Sequence, residues 1–466
     1  MRGTMPRFRG LRALVVGLGI EGTALARFLA AQGAQVTVTD AKPAEALAAR
    51  MAELADVPVH YRLGGTDPAL AAEADALFLS QSVPLSLPLV VEARRRGLPL
   101  GSALTLTYEL FPGRIAAVTG SSGKTTTTAL VSAIFTAARR RHVLAGNIGR
   151  WPLAELAAAS AEDWAVLEVS HTQLQLTTRS PHVACVTNVT PNHLDQFTWE
   201  AYVDLKRNHV RHQRPGDIAV LNLDNPITRA FATDTAAAAH FFSMEGDLPG
   251  DGAFLRSGMV VCREQGREMT VLPAAEIPLR GRHNVENVLA ATAVAAAAGI
   301  PMTAVAAAVR VFRPVAHRLE PVGTVNGVTY VNDSIATAPE RTLAGMRSFS
   351  EPLVLLLGGR DKHLPLEELA AECARRCRAV VTFGEAGPLF AAAVAAARVD
   401  EKPTVEETRT LDEAVAAAAR LAQPGDVVLL SPAGTSFDAY PNFEHRGEHF
   451  RRLVQALATR GAGRGV

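Results

Sequence analysis

Cysteine is scarce in this chain: four residues in 466, too few and too scattered to staple a fold. Cys185 and Cys262 stand alone, and Cys373 and Cys377 lie one helical turn apart with no second ligand pair, so all four read as reduced structural thiols rather than a zinc site. A dominant charge is lacking too. Lys and Arg total 47 against 46 Asp and Glu, which argues against a generic nucleic-acid or membrane-surface binder but leaves room for a local basic cleft holding a small polyanion. The basic segment Met1 to Gly10 has no apolar core of the kind an export signal needs. Long hydrophobic runs are missing with one exception, the uncharged stretch Val288 to Val309. It is mostly alanine and is broken by Gly299-Ile300-Pro301, so two short buried helices joined there explain it better than a membrane span. A cytoplasmic protein is expected. No repeat of solenoid period is present.

What the chain does have is apolar content, 48% against 20% charged, and a length that suggests about three domains at roughly 150 residues each. Strand-like and helix-like runs alternate throughout. A first block opens on Ala13-Leu14-Val15-Val16, turns helical from Thr23 to Gln32, returns to a strand at Gln35 to Thr39, and includes the apolar run Ala76 to Leu79. A second opens on Ile115 to Val118 and a glycine loop, with further buried-strand runs at Ala165 to Val169, Val183 to Val189 and Ile218 to Leu221. A third begins near Arg313-Pro314 and carries strands at Val328 to Val331, Leu353 to Leu357, Ala379 to Phe383 and Val427 to Leu430. Such alternation predicts an α/β fold of parallel or mostly parallel sheets with helices on both faces, over domains at 1–110, 111–313 and 314–466.

Two glycine loops carry the chemistry. Gly17-Leu18-Gly19-Ile20-Glu21-Gly22 follows a strand and opens a helix, and Asp40 ends the next strand. A helix N-terminus with close backbone approach suits a phosphate, and an acid at that distance suits a ribose. Taken alone, the pattern fits an NAD-dependent oxidoreductase, another nucleotide binder, or merely a tight turn. The loop Thr119-Gly120-Ser121-Ser122-Gly123-Lys124-Thr125-Thr126 is sharper. Its N–H groups can cradle phosphates, Lys124 can neutralise them and Thr125 can ligate Mg²⁺. Val118 stands where the standard phosphate loop has its first glycine, so this is a shortened variant, and the second block is expected to bind ATP.

Glu168 closes the run Ala165 to Val169, where an acid beside a phosphate loop reads as a Mg²⁺ ligand in preference to a helix cap. His193-Leu194-Asp195 follows the next strand. Lys206 lies on the helix that follows, in Tyr202-Val203-Asp204-Leu205-Lys206, and a lone helical lysine is usually solvated.

Taken together, the motifs resemble the Mur ligases of peptidoglycan synthesis from end to end. The matching segments include Gly120 to Thr126, Gly146 to Gly149, Thr187 to Asp195, Gly281 to Asn287, His317 to Glu320, Asn332 to Ser334, Gly358 to Lys362, Ser431 to Phe437 and Asn442 to Glu444. The resemblance is to the branch that adds D-glutamate. It implies a UDP-binding Rossmann-like first domain, a central ATPase, and a Rossmann-like third domain that closes with the amino acid. It also implies that Gly19, Ile20, Glu21 and Asp40 serve UDP rather than NAD. The implied reaction is ATP-dependent amide formation between UDP-N-acetylmuramoyl-L-alanine and D-glutamate through an acyl phosphate, in the cytoplasm, by a monomer with no nucleic-acid or membrane partner.

Carried over residue by residue, Lys124 with Gly120, Ser121, Ser122, Gly123, Thr125 and Thr126 would hold the ATP phosphates. Asn284 and Asn287 would face the adenine and ribose, and Arg318 and Asp333 would reach the nucleotide from the third domain. Thr125, Glu168, His193 and Lys206, the last as an N-carboxylysine, would hold Mg²⁺. Lys124, His193 and Lys206 would be the catalytic set. Asn147, Ser170 and Gln173 would line the sugar and alanyl path, and Thr337, Lys362, Ser436, Phe437 and Phe443 the D-glutamate site. The chain departs from the family pattern at His171, read as a packed histidine in preference to a new polar contact, at Ile335, where many members have lysine, and at Ile20 and Glu21. A same-scaffold ligase for L-glutamate or another amino acid stays open, since both enantiomers present the same groups. An NAD-dependent oxidoreductase and a catalytically silent nucleotide-binding regulator are the readings from other classes.

Overall fold

The computed structural model describes residues 7–148, 151–192, 196–313, 315–398 and 400–462. His193 and Asp195 lie outside them. Among the described residues, twenty strands form three sheets. The first runs β3-β2-β1-β4-β5, with β1 Arg12–Val16, β2 Gln35–Asp40, β3 Val59–Leu63, β4 Ala76–Leu79 and β5 Leu100–Gly101, all parallel. The second has nine strands: β6 Arg114–Thr119, β7 His142–Gly146, β8 Trp164–Glu168, β9 Val183–Val186, β10 Ile218–Asn222, β11 Ala238–Ser243, β12 Gly252–Arg256, β13 Met259–Glu264 and β14 Arg267–Pro273. Their order is β14-β13-β12-β11-β10-β9-β6-β8-β7, parallel except for the antiparallel pairs β12-β13 and β13-β14. The third is β15-β16-β20-β17-β18-β19, from β15 Glu320–Val325, β16 Val328–Asn332, β17 Leu353–Gly358, β18 Cys377–Phe383, β19 Thr404–Glu407 and β20 Val427–Ala433, antiparallel only at β15-β16.

The apolar runs become central strands because both faces are covered. In β17, Leu353, Leu355 and Leu357 pack into one core, while Val354 and Leu356 pack into the core behind. Another cluster joins Val15, Leu25, Phe78 and Leu104 of the first sheet's layers to Trp151, Leu156, Leu167 and Leu174 of the second's. That shared core explains why residues Met1–Ile277 and Glu286–Phe312 form one compact unit with two sheets. Pro278–Val285 and Arg313–Val466 form the other.

The alanine-rich stretch is two helices, Arg282–Ala297 and Met302–Val311, and no described helix is long and apolar enough to cross a membrane. All four cysteines are free and buried. Cys373 and Cys377 do not share a helix, because the helix Glu367–Arg376 ends first and Cys377 opens β18. The hairpin strands β13 and β14 went unread in the sequence. They flank Gln265-Gly266, a tight turn in which both residues take positive φ.

Candidate active site

In both sheets of the first unit, the glycine loop leaves a strand whose neighbours continue in opposite directions. β1 lies between β2 and β4, and β6 lies between β9 and β8. Such switch points at the carboxyl ends of strands are where α/β sheets take ligands.

At the first, a Cβ on Gly22 would overlap the Gly17 carbonyl oxygen, so only glycine lets the helix Ile20–Ala31 start so close to the loop. Asp40 braces the loop, accepting from the backbone N–H of Leu18 at 2.7 Å and of Lys42 at 2.9 Å. Beside it opens a cavity of about 270 Å³ whose wall includes Gly19, Ile20, Glu21 and Asn147. Ile20 is 59% exposed. Asp40, Ser170 and Gln173 are not on that wall. Glu21 is buried, and its two oxygens accept from the N–H of Gln81 at 2.8 Å and of Ala103 at 3.1 Å. Burial outweighs those two bonds and pushes its carboxyl up to about 7. Ser80, Gln81, Ser82 and Trp151 also line the cavity and were missed in the sequence. The first three directly follow the buried strand β4, a position that could have flagged them.

At the second switch point the phosphate loop is held from behind. The N–H of Ser121 donates to Asn188 O at 2.9 Å, and that of Ser122 donates to Asn188 Oδ1 at 3.0 Å. The Ser121 hydroxyl donates to Thr190 O at 2.9 Å, and Thr187 Oγ1 donates to Ser122 O at 2.6 Å. Gly123 caps the helix Lys124–Ala137 in the left-handed region, and a Cβ there would run into the Asn287 amide. Asn287 also accepts from Thr127 Oγ1 at 3.3 Å. Lys124 Nζ donates to Gly120 O at 3.0 Å and Ser121 O at 3.2 Å. Thr125 is half-buried, while Thr126 is buried and its hydroxyl has no partner among the described residues.

Lys206 overturns the solvated reading of a helical lysine. It is 1% exposed on the helix Trp199–Arg211, and its Nζ donates to Thr119 Oγ1 at 3.1 Å and Gly120 O at 3.0 Å, directly under the loop. Burial and the nearby Lys124 charge hold its pKa well below the ordinary lysine value, against the pull of Glu168. Glu168 is buried at the end of β8. Its Oε1 accepts from Asn147 Nδ2 at 2.9 Å, while Oε2 is buried with no partner among the described residues. A carboxylate oxygen left so, beside a phosphate loop, fits a divalent cation. Mg²⁺ is a metal that takes one or two carboxylates and draws its other ligands from phosphates and water, so a buried carboxylate beside the loop fits it. His171 packs its ring against Phe197 and Tyr202, as a packed histidine should.

In the second unit, Asp333 follows β16, buried, with Oδ1 accepting from Leu319 N–H at 3.1 Å and Oδ2 from Ser431 Oγ at 2.8 Å. Burial raises it to about 7 against the pull of those bonds and of Arg318 and Arg341. Asn284 is buried and donates to Arg280 O at 2.7 Å. Lys362 Nζ donates to Thr337 Oγ1 at 3.2 Å, which brings two of the expected D-glutamate residues together. Ser436 is buried, Phe437 is 63% exposed, and the Phe443 ring lies 6.2 Å from that of His317. The sequence reading also missed Arg446, a fully buried guanidinium that donates to Ser334 O at 2.9 Å and to Gly434 O at 3.1 Å, tying the Ser334 and Gly434 loops together.

Residues 11–102 match the N-terminal domain of the MurD-like Mur ligases, 118–295 the Mur ligase middle domain, and 317–434 the Mur ligase glutamate ligase domain. A UDP-N-acetylmuramoylalanine–D-glutamate ligase of Symbiobacterium thermophilum is 44% identical over 451 residues, covering 96% of this chain and 98% of its own. The chain belongs to the Mur ligase family. A relative of the same name in Roseiflexus is 40% identical over 96% of this chain and 99% of its own. Among solved structures, the UDP-N-acetylmuramate-alanine ligase MurC of Thermotoga maritima superposes with a TM-score of 0.62 at 18% identity, covering 96% of this chain and 99% of that one. MurF of Acinetobacter baumannii gives 0.60 at 16%, covering 96% and 94%. These two share the Mur ligase fold with it: three α/β domains with mostly parallel sheets. Family membership sets aside the oxidoreductase reading of the first glycine loop.

Proposed function

We propose that this Mur ligase joins D-glutamate to UDP-N-acetylmuramoyl-L-alanine at the expense of ATP, a cytoplasmic step of peptidoglycan synthesis. The near-full-length relatives bearing that activity in their names support the substrates. The observation that carries the chemistry is the 2.9 Å bond from Asn147, on the wall of the first cleft, to Glu168, beside the phosphate loop. On this reading the UDP-sugar cleft and the ATP site are neighbours, as carboxylate activation requires. The domains take the boundaries 1–110, 111–313 and 314–466, and the chain acts as a monomer without nucleic-acid or membrane partners.

A carboxylate is a poor electrophile, because oxide leaves badly and phosphate leaves well. The alanyl carboxylate therefore attacks the γ-phosphorus of ATP, giving an acyl phosphate and ADP. The D-glutamate amine adds to the acyl carbon, and the tetrahedral intermediate expels phosphate to leave the amide. Bringing two anions together calls for fixed positive charge and orientation. Lys124, held on the loop, supplies charge at the transferring phosphoryl group. Thr125, Glu168, His193 and Lys206 as a carbamate would hold Mg²⁺, which offsets the repulsion between carboxylate and phosphate. Lys206 suits that modification: its two hydrogen bonds use both hydrogens of a neutral amine and leave the lone pair for CO₂. Gly120 to Thr126 with Asn284, Asn287, Arg318 and Asp333 serve ATP. Gly19, Ile20, Glu21, Asp40, Asn147, Ser170 and Gln173 serve the UDP-sugar, and Thr337, Lys362, Ser436, Phe437 and Phe443 serve D-glutamate.

The test is phosphate release with UDP-N-acetylmuramoyl-L-alanine, ATP and Mg²⁺, comparing D-glutamate, L-glutamate, meso-diaminopimelate and L-lysine. Only D-glutamate should give rapid turnover. A strong preference for any of the others would falsify the assignment.

A further inference from the structure

Three side-chain amides in the first unit stand head to tail between two groups that cannot reverse their roles. The backbone N–H of Ser170, a donor only, gives to Gln173 Oε1 at 2.8 Å. Gln173 Nε2 gives to Gln81 Oε1 at 2.7 Å, and Gln81 Nε2 to Asn147 Oδ1 at 3.4 Å. Asn147 Nδ2 gives to Glu168 Oε1 at 2.9 Å, and an ionised carboxylate only accepts. Every link runs in the same direction, so flipping any one amide would set donor against donor or oxygen against oxygen at both of its bonds. The backbone of Gln81 is pinned separately, through its N–H to Glu21 Oε2 at 2.8 Å, while the other oxygen of Glu21 takes the N–H of Ala103 at the start of the helix Ala103–Leu110. Gln81 itself is exposed on the wall of the 270 Å³ cavity, so it is both a link of the chain and a surface that a ligand in the cleft touches.

We propose that Gln81 is a positioning residue that couples occupancy of the UDP-sugar cleft to the cation-binding carboxylate Glu168 through the Gln173–Gln81–Asn147 amide chain. The proposal rests on the reading of that cleft as the UDP-sugar site. The chain fixes which face of the Asn147 amide meets Glu168. It thereby keeps Glu168 Oε1 engaged and leaves Oε2 as the oxygen for the cation. The 3.4 Å link is the longest of the four and lies on the cavity wall, so a ligand that presses Gln81 toward Asn147 tightens the chain where it is loosest. Cation affinity at Glu168 then rises when the UDP-sugar is bound and, by reciprocity, UDP-sugar affinity rises when the cation is bound.

Gln81→Glu keeps the shape and the oxygen that accepts from Gln173 but replaces the donor to Asn147 with a second acceptor. Gln81→Met keeps the bulk and removes both roles. Two binding measurements need no turnover: calorimetric titration of full-length protein with UDP-N-acetylmuramoyl-L-alanine in ADP, with and without Mg²⁺, and Mn²⁺ titration by electron paramagnetic resonance in ADP, with and without the UDP-sugar. In the unsubstituted protein each ligand should strengthen the other several-fold. Both variants should keep the unfolding midpoint, bind the UDP-sugar about tenfold more weakly, the scale of one polar contact left unmade, and lose the mutual strengthening. If the unsubstituted protein does not bind the UDP-sugar, the cleft reading fails. If it binds and the variants retain the same Mn²⁺ coupling, the amide chain is overturned as the coupling route.

Discussion

At the scale of single residues, burial decides chemistry that residue type leaves open. Lys206 and Lys124 are both lysines near one loop, yet one is buried under it with its pKa driven down and the other lies across its carbonyls. The buried one is the lysine whose pKa is shifted toward the neutral amine. Lys206→Ala should lower kcat/KM by about two orders of magnitude or more, the scale of losing one preorganised electrostatic group, and added acetate should restore part of the rate by replacing the missing carboxylate. Steady-state rates with and without acetate decide it: indifference to the substitution removes the carbamate role. Nothing in the sequence around Lys206 announced its burial, because the groups its Nζ meets, Thr119 and Gly120, lie 87 and 86 residues away in the chain.

At the scale of elements, the helix Trp199–Arg211 reaches the underside of the Gly120 loop through Lys206 and β6 through His209. This residue is fully buried, its Nε2 lies 3.0 Å from Ala117 O in β6, and its Nδ1 has no partner among the described residues. A neutral ring with hydrogen on Nε2 satisfies that bond, whereas protonation would place an unpaired N–H in the core. Burial accordingly lowers the pKa to about 4. The folded pKa lies below the unfolded value, so the stability it contributes is present above about 6.5 and is lost as pH falls toward 4. Between pH 7 and pH 5 the loss should be about 2 kcal/mol. Chemical denaturation of His209→Asn at the two pH values should give a smaller drop than the unsubstituted chain, and an equal drop would show that His209 is not the group being titrated.

At the scale of the whole molecule, the chain passes between its two compact units three times, at 277–278, 285–286 and 312–313. Each unit holds its own apolar cores, the first shared by two sheets and the second wrapped around one. Differential scanning calorimetry should resolve more than one transition. UDP-N-acetylmuramoyl-L-alanine at about 100 times its Kd should add about 2.7 kcal/mol to the first unit's transition and leave the second where it was. Equal movement of both would mean that the units unfold as one cooperative body.

The sequence by itself determined the apolar central strands, the two glycine loops and the family, because these depend on local pattern: apolar runs long enough for a buried strand, and glycines where the backbone turns too tightly for a Cβ. It pointed to Glu168 by its place at a strand end beside the phosphate loop and to Asn147 by resemblance. It did not reveal that Asn147 bonds to Glu168, that Gln81 completes an amide chain between Gln173 and Asn147, or that Arg446 ties Ser334 to Gly434. Those partners are 21, 92, 66 and up to 112 residues apart. Only the tertiary structure brings such groups within hydrogen-bond reach, by setting β7 beside β8, the first sheet's loops against the second's and the last helix over the third sheet, and only burial there lowers the pKa of Lys206 and leaves Glu168 Oε2 without a partner among the described residues.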